Sequence, residues 1–220
     1  VYMNLPILQL LVLAGIAIFL ILRLRSVLGT RDGFEAPNVP PAGLDERKRK
    51  FEVIEGGPDQ DITDHAEEGS DTAKALANMK QREPSFEVGG FLSGARSAYE
   101  FILMGFERGE LAEIKPYISD EVYEVFAQVV EAREKKGLKV EAEFIGVREV
   151  SIHSAEFHAA SGTAEIAMKF IGELTSVVRD ETGEIVEGKE GKVKTQKDIW
   201  TFEREMGVND PNWILVATGE

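Results

Sequence analysis

Cysteine is absent from the chain, which excludes disulfides, thiolate metal sites and cysteine nucleophiles. Positive charge is scarce: 25 Lys and Arg stand against 39 Asp and Glu, for a formal net charge of −14. That balance argues against nucleic acid as a partner, because phosphate binding needs clustered Lys and Arg to release counterions. No nucleophile elbow, phosphate loop or metal-spaced cluster occurs, so no catalytic, metal or cofactor-binding residue is assigned and the chain reads as a non-enzyme. His153 and His158 lie five apart in or beside a strand, which puts them on opposite faces and reads as two surface histidines. What is present, 43% hydrophobic and 29% charged residues over 220 positions, suffices for one well-built domain with appendages.

No charged side chain precedes Arg23, and Leu5 to Leu22 is apolar except for Gln9. At the helical rise, about 18 residues reach roughly 27 Å, close to the ~30 Å hydrocarbon core of a bilayer. A cleaved signal peptide would need a basic start and a small-residue cleavage site after the apolar run, whereas Arg23-Leu24-Arg25 follows here. Residues 1–28 therefore read as a transmembrane helix with a basic flank, Arg23 and Arg25 meeting the membrane surface. With Arg31 they place the rest of the chain in the cytoplasm by the positive-inside rule.

Residues 29–84 turn to proline, glycine and acid: Pro37, Pro40, Pro41, Gly56-Gly57-Pro58 and the run from Asp59 to Asp71. Such composition reads as an acidic, mostly disordered linker. The basic block Arg47-Lys48-Arg49-Lys50 is offset by Asp45, Glu46, Glu52 and Glu55 and reads as a solvated patch. Ala73, Leu76, Ala77 and Lys80 have the spacing of a short helix inside that linker.

The folded domain is expected over residues 85–220. Phe91, Ala95, Tyr99, Ile102 and Phe106 recur at intervals of three and four, predicting an amphipathic helix from Phe91 to Arg108 that Gly109 ends. A second helix starts at the N-cap Ser119, carries Phe126 on its apolar side and closes at Gly137. Alternation then replaces helical spacing. Val140, Ala142 and Phe144 share a strand face, Gly146 marks a bulge, and Ala164, Ile166, Met168 and Phe170 alternate toward Val178. After the turn Asp180-Glu181-Thr182-Gly183, a third strand begins near Lys192 and runs through Trp200 and Phe202, which share one face. The turn Val208 to Asn212 returns the chain through Trp213 as an antiparallel partner. The class is α+β, helices packed on a curved antiparallel sheet of about four strands, with a pocket expected under the concave face. Its core or pocket residues are Tyr99, Ile102, Phe106, Phe126, Phe144, Phe170, Trp200, Phe202 and Trp213. A polar pair such as Asp198 with Tyr99 or His158 could move a proton there, although Asp198 and Glu203 read first as an ion-pair rim with Arg204 or Lys197.

Phe91-Leu92-Ser93-Gly94-Ala95, Ala98-Tyr99-Glu100, Val122-Tyr123 and above all DIWTFER followed by Asp210-Pro211-Asn212-Trp213 resemble the Tim-44-like family over Phe86 to Thr218. The resemblance implies a nuclear-transport-factor-2-like cone, attachment to anionic inner-membrane lipid, and a scaffold role beside a translocase and a DnaK-type chaperone. It points to a bacterial, single-pass inner-membrane member that assists protein translocation or membrane-protein assembly. Mitochondrial members carry a chaperone-binding N-terminal region; this chain has a span and a short acidic linker in its place. In the family, lipid contact is attributed to the start of the cone, here Phe86, Val88, Phe91 and Leu92, with Arg96 as headgroup partner. The alternative for the four apolar residues is core packing. Two other functions fit the same architecture: a single-span type IV secretion subunit with its cone outside the cytoplasm, and a pocket isomerase.

Overall fold

The computed structural model describes residues 59–219. The span read over 1–28, its Arg23 and Arg25, and the linker up to residue 58 lie outside the described residues. Helices come first: α1 Gln60–Thr63, α2 Asp71–Arg82, α3 Val88–Arg108, α4 Leu111–Ile114 with a 3-10 turn Lys115–Tyr117, and α5 Asp120–Glu134. Four strands follow, β1 Lys139–His158, β2 Thr163–Arg179, β3 Ile185–Glu205 and β4 Ile214–Gly219. They form one antiparallel sheet in the order β1-β2-β3-β4. Among the described residues no helix is long and apolar enough to cross a membrane.

The sheet obeys the alternation of its sequence. Ala164, Ile166, Met168 and Phe170 of β2 are fully buried beneath the helices, and Trp200 and Phe202 of β3 continue that layer. Gly146 does mark a bulge, and two further irregularities, between Val147 and Glu149 and between Ile152 and Ser154, bend β1. β3 begins at Ile185, earlier than the expected start near Lys192. Residues 185–195 are exposed on both faces, so no apolar alternation announces that outer arm.

α3 is the central helix. Phe91, Ala95, Tyr99, Ile102 and Leu103 are buried, and Gly109, at φ 76°, closes its end with the Glu110 N–H on the Gly105 carbonyl at 2.8 Å. Gly105 is required by packing, since a Cβ there would lie 2.4 Å from Ile114 Cγ2. Ser119 caps α5 as expected, its Oγ accepting from the Val122 N–H at 3.3 Å.

One boundary needs correction. The composition assigns residues 59–84 to the linker, but α1 and α2 are part of the domain, with Leu76 and Met79 fully buried and α2 packed on β1. Its apolar face consists largely of small residues, Ala73 and Ala75 beside Leu76 and Met79, so average composition masks it. The acidic residues are also used. Glu87, at the N-cap of α3, makes no side-chain cap, and Asp61 of α1 accepts the N–H groups of Val88 and Gly89 at 2.8 and 2.9 Å instead. Lys80 of α2 binds the same carboxylate at 2.8 Å. Burial opposes the Asp61 charge, yet Lys80 and the two N–H groups outweigh it and hold the carboxyl below its ordinary value.

Candidate functional site

The concave face of the sheet meets α3 in an interior filled by aromatic rings. Tyr99 stacks on Phe170 with centroids 4.4 Å apart and planes 12° apart, and packs against Trp200 at 4.7 Å and Phe144 at 6.3 Å. Its hydroxyl donates to Asp198 Oδ2 at 2.5 Å, while Gln196 Nε2 donates to Oδ1 at 3.0 Å. Asp198 is only 7% exposed. Burial raises the Tyr99 hydroxyl well above the usual phenol range, and the neighbouring Asp198 carboxylate raises it further. A neutral phenol donating to a buried carboxylate satisfies that charge in a low-dielectric setting.

The aromatic stack depends on Gly172, because a Cβ there would lie 2.7 Å from the Tyr99 hydroxyl oxygen and 2.9 Å from Cε1. Gly172→Ala is therefore expected to destabilise the domain by about 1–3 kcal/mol, the usual range for overpacking a core. Urea unfolding measures it; an unchanged midpoint would show that the ring can move aside.

A second cluster joins the helix entry to the β3–β4 corner. Phe91 packs on Trp213 at 4.6 Å and on Phe202 at 6.2 Å, and Phe86 packs on Trp213 at 6.0 Å. Arg204 lies over the Trp213 ring at 5.6 Å and forms a buried ion pair with Glu83, whose Oε2 also accepts from the Gly207 N–H at 2.9 Å.

These positions decide among the residues expected from sequence. Tyr99, Ile102, Phe126, Phe170, Trp200 and Phe202 are buried as core, with Phe106, Phe144 and Trp213 partly buried against them. Tyr99 and Asp198 are brought together, whereas His158 is exposed at the end of β1. Arg204 pairs with Glu83. The lipid-contact reading of Phe86, Val88 and Phe91 is corrected: they are 5%, 0% and 7% exposed and belong to the core. A side chain already removed from water by Trp213 and Phe202 offers no surface to lipid. Leu92 is half-buried, and Arg96 is exposed with Nη2 donating to the Val147 carbonyl at 2.5 Å. Sequence reasoning missed Glu83, Asp61, Gln196 and Gly172. For the first two the available signal was an acid placed next to a helix end, which an acidic stretch conceals.

A cleft of about 280 Å³ lies beside the C-terminal half of α3, lined by Glu100, Glu110, Glu113 and Glu143 together with Arg108, Phe101, Met104 and Phe144. Phe101 and Tyr117, each 43% exposed, meet edge to face at 5.5 Å near it. Among the described residues no group of three or more histidines and carboxylates is placed to hold a metal ion.

The described residues thus define an α+β domain whose helices cover one face of a four-stranded antiparallel meander and whose interior is packed with aromatic side chains. The chain belongs to the Tim44-like domain family, which matches residues 72–220. Among curated proteins it is similar to the mitochondrial import inner membrane translocase subunit TIM44-1 of Arabidopsis thaliana, 26% identical over 145 residues. That match covers 66% of this chain and 30% of the relative, so the chain spans less than a third of that protein's length. Among solved structures, the intermembrane space region of the chloroplast protein ARC6 aligns with a TM-score of 0.36 and 10% identity, over 68% of this chain and 95% of that one. A likeness at that score does not define a shared fold.

Proposed function

We propose that this chain is a membrane-anchored scaffold whose Tim44-like domain contacts inner-membrane lipid and partner proteins and assists protein translocation or membrane-protein assembly. The observation that carries the reading is the family match over residues 72–220, which takes in α2 and the whole sheet. The name of the Arabidopsis relative, an import translocase subunit of an inner membrane, supports the setting. The apolar run Leu5–Leu22 followed by Arg23, Arg25 and Arg31 supports a single span with the domain on the cytoplasmic side. In this reading the bent sheet is a nuclear-transport-factor-2-like cone with a filled interior. That filling supports binding over turnover, since the Tyr99–Asp198 pair is occupied by its own hydrogen bonds. Partner proteins have a candidate surface in the acidic cleft beside Phe101 and Tyr117, whose chemistry suits a basic, apolar segment. A DnaK-type chaperone is one such partner class. Lipid contact falls to Leu92 and Arg96 on α3, which lie outside the buried core, and to Arg23 and Arg25, which follow the apolar run in the sequence.

Two readouts on one variant series test the proposal. The chain lacks cysteine, so Glu68→Cys, in the exposed turn before α2, gives a single thiol. Labelling by a membrane-impermeant reagent only after the inner membrane is permeabilised is expected; labelling in cells with only the outer membrane opened would favour the secretion-type subunit. Residues 59–220, which carry their own core, are expected to float with cardiolipin vesicles more than with phosphatidylcholine vesicles, and less after Arg96→Glu. Equal flotation with both would remove lipid contact from the proposal.

A further inference from the structure

The last turn of α3 packs on α5. Phe106 meets Phe126 with ring centroids 4.4 Å apart, and the Arg133 guanidinium lies over the Phe106 ring at 4.8 Å. Just past the helix, a Cβ on Gly109 would come within 3.3 Å of Val130 Cγ1. Stacking uses the face of the guanidinium and none of its hydrogen bonds. Nη1 of Arg133 is buried and has no acceptor among the described residues.

A carboxyl stands next to Phe106 in the chain. Glu107 is half-buried in the last turn of α3, and no cation lies within ion-pair distance of it among the described residues. The C-terminal end of a helix also disfavours a negative charge. Burial holds the Glu107 carboxyl above its ordinary value; Arg133 of α5 and Lys194 of β3 oppose that shift, and Glu187 of β3 adds to it. On its own side its charged neighbours in sequence are Arg108 and Glu110. A raised carboxyl keeps its proton to a higher pH than an exposed glutamate, so charge arrives on Glu107 as pH rises through the folded value. An acid without a cation and a buried donor without an acceptor, on two helix ends that already touch, are the halves of one ion pair.

We propose that Glu107 and Arg133 form a proton-operated tie between α3 and α5. Ionised, the Glu107 carboxylate accepts from Nη1 of Arg133 and fastens the last turn of α3; protonated, it leaves Arg133 to the Phe106 stack alone. That stretch of α3 carries Met104, Gly105 and Arg108, which line the cleft, so the tie sets how firmly one of its walls is held. The tie itself rests only on the packing of the two helix ends; its bearing on partner binding rests on the function proposed above.

Hydrogen exchange tests it on the full chain in phosphatidylcholine nanodiscs, from about pH 8 to about pH 4, a range that carries a raised glutamate through its titration. Amides of residues 105–108 and 131–134, corrected for intrinsic rates, are compared with those of residues 164–170 in β2, which report any global loss of stability. Relative to β2, their protection is expected to fall about tenfold on acidification of the wild-type chain. It should not change with pH in Glu107→Gln, nor in Arg133→Met, which keeps an apolar stem on Phe106. No fall in the wild-type chain, or the same fall in either variant, would overturn the proposal. Urea unfolding gives a second readout: the two substitutions combined in a double-mutant cycle should show a coupling of about tenfold in the folding equilibrium constant at about pH 8 that vanishes at about pH 4. Absent coupling at the higher pH, or equal coupling at both, would overturn it as well. Both measurements are made without a partner, so a negative result removes the tie and leaves the cleft as a docking surface untouched.

Discussion

Deleting residues 59–84 abolishes cooperative folding: that is the expected result for a fragment of residues 85–220, whereas residues 59–220 should unfold in a single urea transition. The deletion removes the fully buried Leu76 and Met79 and the buried Ile62. Losing one large core side chain to alanine costs about 2–5 kcal/mol, and here whole residues leave. It also strips the Asp61 carboxylate from the Val88 and Gly89 N–H groups, a loss of about 0.5–2 kcal/mol for a helix cap. Finally it takes Glu83 from Arg204, leaving a guanidinium that is 9% exposed without its counter-ion. Together these are as large as the 5–15 kcal/mol margin, on the order of which a domain is stable. The point variant Leu76→Ala gives the graded version, with a loss of about 2–5 kcal/mol against the few tenths expected of a linker residue. A cooperative transition of 85–220 at an unchanged midpoint would return α1 and α2 to the linker.

The Glu83–Arg204 pair carries the second large effect. Glu83→Ala removes one partner of a buried pair and is expected to cost about 3–5 kcal/mol, mostly the penalty of an uncompensated charge. Glu83→Leu with Arg204→Met removes both charges and should recover most of that loss. The pair also sets an acid sensitivity. The hydrogen bond from Arg204 holds the Glu83 carboxyl below its ordinary value; burial opposes it, and the Gly207 N–H adds to the lowering. A depressed folded-state pKa contributes stability that is fully present above the unfolded value of about 4.3 and is lost as pH falls through the folded value. Asp61 is lowered too, so both groups lose stability in the same direction. Urea midpoints measured from pH 7 down to about pH 3 should fall for the wild-type chain and fall less for Glu83→Gln, which lacks one titrating group. Parallel slopes would mean that Glu83 titrates alike in the folded and unfolded states.

Much of the architecture follows from local rules. The three-and-four spacing around Tyr99 and Ile102, the caps Ser119 and Gly109, and the alternation from Ala164 to Phe170 each demand one secondary structure, and that structure is present. The same holds for the turn at Asp180, whose Oδ1 accepts from the Thr182 and Glu184 N–H groups at 2.9 and 3.0 Å. The W-x-F-E-R and P-N-W residues also carried the family resemblance, since an aromatic pair on one strand face and a second tryptophan after a tight turn form a distinctive pattern. The partners across the fold were not legible in this way. Phe86, Val88 and Phe91 are apolar whether they face lipid or Trp213, and only the path of β4 places that ring over them. Asp61 and Glu83 are equally plain in sequence as solvated acids.

The sequence by itself determined the helical class of α3 and α5, the faces of α3 and of the central strands, and the acidic, cysteine-free character that narrows the chemistry, because these depend on residues a few positions apart. Tertiary structure alone decided that residues 59–84 belong to the domain, that Tyr99 meets Asp198 over Gly172, and that Arg204 turns to Glu83. Each of those contacts joins residues far apart in the chain, and their energies arise only once burial removes both partners from water.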